Sequence, residues 1–124
     1  MESRKTILII DDDPRNIFAL SATLKAKGFD YIACSEAAEA IRVMESDQQI
    51  DMVLIDMMMP DMDGYEAIPI MKKMKGREKI PLIAVTAQAM VGDRDKCLAA
   101  GADDYISKPI DVDKLMQVMY AYMN

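Results

Sequence analysis

The sequence predicts an α/β fold in which a parallel sheet of five strands carries helices on both faces, the doubly wound arrangement. Short apolar runs alternate with longer segments of helical period along the chain. Three runs, residues 7–10, 52–55 and 82–85, are continuously apolar, as expected of strands covered on both faces. Alternating strands and helices imply parallel pairing, because each right-handed crossover carries a helix back over the sheet.

Two shorter and less apolar runs complete the predicted sheet. They cover residues 30–33 and 103–106 and become its second and fifth strands. Each lies between two segments of helical period, which is the position that a strand of a β/α alternation must occupy.

Periodic apolar residues and glycine define the first two helices. In the first, Ile17, Leu20 and Leu24 recur at helical spacing, and Gly28 marks its end. Asp13 directly precedes Pro14, a natural helix entry, and is expected to serve only as the cap. The stripe of the second helix consists of Ala37, Ala40, Ile41 and Met44.

A capping pattern marks the start of the third helix. Asp63 is followed three residues later by Glu66, as in a capping box. Pro69 falls at about the sixth residue, where proline removes a hydrogen bond at a cost of about 3 kcal/mol. We therefore expect a kink, a late start or a partly 3₁₀ first turn. The basic residues between 72 and 79 are interpreted as a solvated helix end.

Two further helices follow the fourth and fifth strands. One spans about residues 90–100 and ends at Gly101, a predicted left-handed position. The last is capped by Asp111. Its apolar stripe is formed by Val112, Leu115, Met119 and Tyr122.

Composition restricts the classes of function. The 124 residues have about the modal size of one domain, which we expect over residues 1–124. The net charge of −6 disfavours nucleic acid and anionic lipid as direct partners. The longest uncharged stretch, residues 80–92, is too short to span a membrane. Because histidine is absent, Ser-His and Cys-His catalysis and His-bearing zinc sites are excluded.

The cysteines favour a reducing compartment. Cys34 and Cys97 lie far apart and belong to no CxxC pair, so buried thiols are expected rather than a disulfide. The N-terminus runs into an apolar strand without a secretory signal region. Together these features predict a cytoplasmic protein.

Acidic residues follow two of the apolar strands. The first strand ends in Asp11, Asp12 and Asp13, and the third ends in Asp56. Ligands of doubly wound sheets bind at the carboxyl ends of the strands. If the central strands are neighbours, Asp11, Asp12 and Asp56 converge, and their repulsion must be relieved by a cation. An all-oxygen set of a few carboxylates favours Mg²⁺ over Ca²⁺.

Two side chains at the other strand ends suit an anion. Thr86 follows the fourth strand with a hydroxyl donor, and Lys108 follows the fifth with a positive charge. With Mg²⁺ they would surround an anion bearing three oxygens, most simply a phosphoryl group. Carboxylates form covalent phosphoryl intermediates, so one of the acids is the expected acceptor.

At these residues the chain resembles the response-regulator receiver domains of two-component signalling. The resemblance covers essentially all of the sequence, and the intervals between Asp12, Asp56, Thr86 and Lys108 agree with it. Residues 61–65 and 92–94 are most similar to receivers of hybrid histidine kinases. The family implies the flavodoxin-like strand order 2-1-3-4-5. Its motifs are carried by residues 10–12, 54–64, 85–87 and 101–109.

The resemblance implies that Asp56 is the phosphoacceptor. It implies that Mg²⁺ is bound by Asp11, Asp12, Asp56 and the main-chain carbonyl of Met58. Thr86 would contact the phosphoryl oxygens together with Lys108.

The family also implies a switch and a phosphoryl lifetime. Thr86 and Tyr105 would be the switch residues. Met58 and Gln88 would flank the approach of water to the phosphorylated Asp56. Met58 is apolar and excludes water, so a comparatively persistent phosphoryl group is expected.

The resemblance further implies the partners. A histidine kinase or a His-containing phosphotransfer protein would supply the phosphoryl group. The fourth helix, fifth strand and fifth helix would contact a downstream protein. The domain would not be a conventional enzyme, although it would assist its own phosphotransfer and autodephosphorylation.

Two alternatives compete with this interpretation. A small Mg²⁺-dependent phosphohydrolase of the haloacid-dehalogenase kind also uses an aspartyl nucleophile, and turnover of a small phosphate ester would favour it. That class expects an acid pair after the lysine and a cap domain. A receiver that only docks, without phosphorylation, is the other alternative. The intact acidic, threonine and lysine set argues against it.

Overall fold

The computed structural model describes residues 4–87 and 92–123, in which five strands and five helices alternate. The strands are β1 (Thr6–Ile10), β2 (Asp30–Cys34), β3 (Met52–Asp56), β4 (Leu82–Thr86) and β5 (Asp104–Ser107). The helices are α1 (Pro14–Ala26), α2 (Ala37–Glu45), α3 (Gly64–Lys72), α4 (Asp93–Ala100) and α5 (Val112–Tyr122). All four strand pairs are parallel, in the order β2-β1-β3-β4-β5. The predicted fold class and strand order are confirmed.

The central strands β1, β3 and β4 are buried along their whole length, because helices cover both faces of the sheet. Successive residues point to opposite faces. Leu8 and Val53 therefore pack in one core with α2, α3 and α4, whereas Ile7 and Leu54 pack in the other core with α1 and α5. The parallel pairing of β1, β3 and β4 places their carboxyl ends side by side, and the two cores hold them there.

The helix caps agree with the sequence. Asp13 accepts a hydrogen bond from the Arg15 amide at the start of α1, and Asp63 and Glu66 form both bonds of a capping box. Asp111 caps α5 through the amides of residues 113 and 114. Gly101 ends α4 in the left-handed region at φ 118°. These predictions are confirmed.

The expectations for Pro69 are wrong for the start of the third helix, and a kink within it stays a prediction. Helix α3 begins at Gly64, directly after its cap, and remains α-helical through Pro69 to Lys72. Neither a late start nor a 3₁₀ first turn is present, because the capping box of Asp63 and Glu66 satisfies the first turn.

Three other predictions need correction. The stripe of α5 is wrong at its ends, since Val112 and Tyr122 are exposed while Met116 is buried. Strand β5 begins at Asp104, one residue later than predicted, because the Asp103 side chain accepts a bond from the Leu82 amide. The fourth helix begins at Asp93 after Gly92 as its N-cap, later than predicted, and residues 90 and 91 of the predicted range lie outside the described residues.

The basic residues between 72 and 79 are also more than a solvated helix end. Arg77 donates hydrogen bonds to the carbonyls of Met44, Ser46 and Gln48. Lys72 lies 2.6 Å from the Asp103 carboxylate. Arg77 and Lys72 therefore each link segments that are distant in sequence.

Both cysteines are free and buried, as predicted. Across residues 4–87 and 92–123, none of the helices combines the length and the apolar content that crossing a membrane requires.

Candidate functional site at the carboxyl edge of the sheet

The side chains predicted to carry the chemistry meet at the carboxyl edge of the sheet. Asp11 directly follows β1, Asp56 is the last residue of β3, and Thr86 is the last residue of β4. Lys108 follows β5, and its peptide bond to Pro109 is cis. Because β3 lies between β1 and β4, these groups come from neighbouring strand ends.

Three carboxylates converge at this edge. One oxygen from each of Asp11, Asp12 and Asp56 lies within 4.8 Å of the other two. Asp11 and Asp56 are buried, whereas Asp12 is exposed. An exposed side and an all-oxygen donor set fit a hard cation that keeps several waters, such as Mg²⁺.

Each oxygen of the Asp56 carboxylate has its own neighbour. Oδ1 accepts a hydrogen bond of 3.0 Å from the Met58 amide. Oδ2 lies 3.3 Å from Lys108 Nζ, which is also 3.5 Å from Asp11 Oδ2. One lysine therefore faces two buried carboxylates, and the site carries an excess of negative charge.

Burial is the main influence on the Asp56 carboxyl. It raises the pKa of Asp56 above its ordinary value, and the nearby Asp11 charge adds to this effect. The Met58 amide and Lys108 lower the pKa but only partly offset burial. The charged form of Asp56 is therefore kept at a cost in stability that a bound cation would relieve.

Asp13 has a different role from the other two acids after β1. Its backbone amide donates to Asp11 Oδ1 at 2.9 Å, which orients the Asp11 carboxylate. Its own carboxylate accepts from the Arg15 amide and pairs with the Arg15 guanidinium. The side-chain hydrogen bonds from the Arg15 guanidinium, followed by the bond from its amide, hold the pKa of Asp13 below its ordinary value.

The predicted switch residues lie on the two strands that follow β3 in the sheet. Thr86 is buried, and its carbonyl accepts a bond of 2.7 Å from the Lys108 amide, which ties the ends of β4 and β5 together. Tyr105 on β5 is half-buried and packs against the core shared with α2 and α3. Gln88 lies outside the described residues.

The side chain of Met58 borders a groove beside the site. It is 53% exposed, while its backbone amide donates to the buried Asp56 carboxylate. The groove has a volume of about 650 Å³. It is lined by Met58, Asp63, Tyr65, Lys96, Ala99 and Ala100. Sequence reasoning missed both this groove and the role of the Met58 amide, since every residue type except proline offers the same N–H.

A family model described as the response regulator receiver domain matches residues 7–120. The chain belongs to this family. Receiver domains are signalling domains of two-component systems rather than classical enzymes, and they partner with histidine kinases or phosphotransfer proteins. The sequence-based recognition of the family is confirmed.

Two curated relatives illustrate the similarity. The signal transduction histidine-protein kinase BarA of Escherichia coli K12 is 33% identical over 117 residues, covering 94% of this chain and 13% of BarA. The heme response regulator HssR of Staphylococcus saprophyticus is 35% identical over 111 residues, covering 90% of this chain and 48% of HssR. The receiver domain thus spans between about an eighth and a half of these relatives.

Two solved structures resemble the receiver domain closely. One is the receiver domain of the sensor histidine kinase PA1611 from Pseudomonas aeruginosa PAO1, with a magnesium ion coordinated in its active-site cleft. It has a TM-score of 0.89 and 31% identity, with 98% of both chains covered. The other is a CheY-like receiver domain protein from Methanospirillum hungatei, with a TM-score of 0.87 and 30% identity, covering 98% and 94% of the two chains.

Proposed function

We propose that this receiver domain is a phosphorylation-dependent switch that accepts a phosphoryl group on Asp56 from a phosphohistidine of a partner protein. The observation that carries the proposal is the surroundings of the Asp56 carboxylate. It is buried, one oxygen is held by the Met58 amide and the other faces Lys108. Two further acids lie within reach of a shared cation. This combination suits an acceptor better than a structural carboxylate.

Asp11, Asp12 and Asp56, with the main-chain carbonyl of Met58, would hold Mg²⁺. The magnesium ion in the PA1611 receiver domain supports this part of the proposal. When bound, Mg²⁺ would neutralise negative charge on the transferring group.

The side chains of the site have separate roles in transfer. A lone pair of the Asp56 carboxylate forms the new P–O bond, while the donor's P–N bond breaks and leaves its electron pair on the imidazole. Lys108 offsets the charge of the phosphoryl oxygens, and Thr86 donates its hydroxyl to one of them. Asp56 is the nucleophile, and the fixed positions of the other two groups lower the barrier through preorganised electrostatics.

The chain contains no histidine, so the proposed phosphoryl donor is another protein. A histidine kinase or a His-containing phosphotransfer protein has the required chemistry. We do not propose direct binding to nucleic acid or to a membrane, because the net charge of −6 repels anionic surfaces. We propose that the domain covers residues 1–124, slightly more than the residues 7–120 that the family model matches. The cytoplasmic location stays a prediction.

Mass spectrometry of the intact protein tests the proposal. With acetyl phosphate and Mg²⁺, the wild type is expected to gain one phosphoryl group, and excess chelator should abolish labelling. Asp56→Asn should remain unlabelled, whereas Asp47→Asn, at an exposed position, should label like the wild type. Full labelling of Asp56→Asn or in chelator would refute the assignment. Multiple turnover of a small phosphate ester would favour the phosphohydrolase, and no labelling at all would favour a docking module.

The proposed output is a change in the face formed by α4, β5 and α5. Phosphorylation would draw Thr86 toward the phosphoryl oxygens and shift the half-buried Tyr105 inward, a population shift between two states. NMR spectra of the beryllofluoride adduct should show shifts that spread from Asp56 to α4 and Tyr105. Changes confined to the acidic cluster would contradict the switch.

The proposed phosphoryl lifetime depends on Met58 and Gln88, which would flank the approach of water. Autodephosphorylation needs water in line with the new P–O bond. The apolar Met58 side chain lowers the occupancy of water there. Gln88 could orient a water molecule but has little effect when occupancy is low. We therefore propose a comparatively persistent phosphoryl group.

A further inference from the structure

The loop between β3 and α3 closes on itself directly beside the acceptor. The Met57 amide donates to the Val85 carbonyl at 2.9 Å, which pins the loop to β4. The Met57 carbonyl then accepts a bond of 3.2 Å from the amide of Gly64, the first residue of α3. The backbone of Met57 is therefore held from both sides.

One peptide unit links this closure to the acceptor. The Met57 carbonyl and the Met58 N–H belong to the same planar, rigid group. Its oxygen is held by Gly64, and its N–H donates to Asp56 Oδ1 at 3.0 Å. Any displacement of the carbonyl end therefore moves the N–H that orients the carboxylate.

Only glycine allows this approach. A Cβ on Gly64 would overlap Met57 Sδ and lie 2.9 Å from Met57 Cα. Met57 is fully buried, so its side chain has little room to move away, and its backbone would have to shift. Gly64 does not have a positive φ, so the need for glycine comes from the close contact and not from backbone conformation.

We propose that Gly64 is a positioning residue for phosphoryl transfer, acting through the Met57–Met58 peptide unit on the Asp56 carboxylate. The proposal rests on the proposed function, in which Asp56 is the acceptor. Gly64 touches no reacting atom. Its role is to hold Oδ1 of Asp56 in a fixed direction, so that the carboxylate faces the donor without reorientation.

Gly64→Ala is the test variant, and Gly76→Ala is its matched control. A Cβ on Gly76 meets no atom within 4 Å, but φ is 84°, so alanine there strains the backbone far from the acceptor. Three quantities are measured for each: the labelling rate at saturating acetyl phosphate and Mg²⁺, the amide proton shift of Met58 by NMR, and the urea midpoint. We expect Gly64→Ala to label about tenfold or more slowly, with a moved Met58 signal. Gly76→Ala should lose stability while keeping the rate and the signal.

The outcomes separate the two proposals. An unlabelled wild type would refute the proposed function itself. A labelled wild type, with Gly64→Ala showing an unchanged rate and Met58 signal, would overturn only the positioning role. Equal slowing in Gly64→Ala and Gly76→Ala at equal loss of stability would also overturn it.

A double variant covers the case in which Gly64→Ala does not fold. Adding Met57→Ala removes Sδ and leaves the contact with Met57 Cα. It should therefore recover part of the labelling rate and part of the Met58 signal. A folded double variant with the wild-type rate and signal, where the single variant does not fold, would overturn the proposal. If neither variant folds, the contact serves folding as such, and the positioning role is likewise refuted.

Discussion

The two edges of the sheet hold charge in different ways. At the amino edge, where the strands begin, charged groups are matched with partners. Arg77 donates to three carbonyls around the end of α2. The Asp103 carboxylate accepts from Lys72 at 2.6 Å and from the Leu82 amide at 2.8 Å. At the carboxyl edge, by contrast, two buried carboxylates share Lys108, and Asp12 adds a third negative charge.

This difference between the edges distinguishes charged groups that stabilise the fold from charged groups that suit a functional site. A charged group with a full set of hydrogen-bond partners contributes to stability. Acids in excess of their cations raise the energy of the folded state, and perturbed groups of this kind are concentrated at functional sites. The number of carboxylates relative to the cations beside them therefore indicates a functional site better than the presence of an ion pair does.

Arg77→Ala should give the largest loss of stability. It removes hydrogen bonds from a charged donor to three carbonyls, which should lower the free energy of unfolding by about 2–3 kcal/mol. Urea denaturation measures this loss, and Lys75→Ala, at an exposed position in the same loop, is the control. Labelling of Asp56 in the folded variant should be unchanged. Equal stabilities for the two variants would contradict the assignment of Arg77 to the fold.

Asp56→Asn should stabilise the protein, opposite in sign to Arg77→Ala. Burial raises the pKa of Asp56 in the folded state, so the folded protein binds a proton more readily than the unfolded chain. The stability of the wild type therefore falls as the pH rises through the interval from the unfolded value of 3.8 to the raised folded value. The gain from Asp56→Asn should be complete above that interval and absent below it.

Denaturation at several pH values measures the gain from Asp56→Asn, with Asp47→Asn as the control. In addition, Mg²⁺ at 100 times its dissociation constant should stabilise the wild type by about 2.7 kcal/mol. The same Mg²⁺ should stabilise Asp56→Asn less. A loss of stability in Asp56→Asn at neutral pH would remove the contrast between the two edges.

Met58→Asn should change the phosphoryl lifetime without changing the fold. The Met58 side chain is half exposed, so the free energy of unfolding should stay within about 0.5 kcal/mol. Phosphate loss after removal of the donor should be several-fold faster, because a polar side chain admits and orients water. Gln88→Ala should change the rate little. The shielding by Met58 is wrong if Met58→Asn leaves the rate unchanged while Gln88→Ala slows it strongly.

The smallest effect is expected for thiol alkylation at Cys34, the last residue of β2. Burial raises the pKa of this thiol to about 11, so at pH 8 only about one thiol in a thousand is ionised. The pKa of Cys97 is also raised by burial. Neither thiol should react with iodoacetamide until urea is added, as read by mass spectrometry. Rapid labelling of Cys34 in the native protein would indicate that the end of β2 opens easily.

The fold was predictable because its signals are local. Apolar runs and capping residues such as Asp63 depend on neighbours a few positions away, and all ten elements were anticipated from them. The errors occur where contacts between distant parts of the chain determine the local structure. Asp103 is bound by Lys72, 31 positions away, and no local pattern predicts that pairing. Val112 and Tyr122 continue the helical period of α5 but are exposed, and the Tyr122 hydroxyl bonds to the distant Asp103 carbonyl.

The candidate site was predictable to the level of side chains. Asp11, Asp12 and Asp56 have a distinctive chemistry and spacing, and the structure brings them together. The hydrogen bonds of the Met58 amide and the Met57 carbonyl could not be predicted, since nearly every residue type offers the same backbone groups. Gly64 was visible in the sequence, but its close approach to Met57 depends on the path of the whole loop.

The strand order has a consequence for folding. The groups around the acceptor come from β1, β3, β4 and the end of β5, so they span almost the entire chain from Asp11 to Lys108. Closing such long loops requires non-local pairing, which is slow in parallel sheets. No folding intermediate that lacks β1 or β5 can contain a complete acceptor site. Under the proposed function, a partly folded copy would therefore lack part of the site that accepts the phosphoryl group.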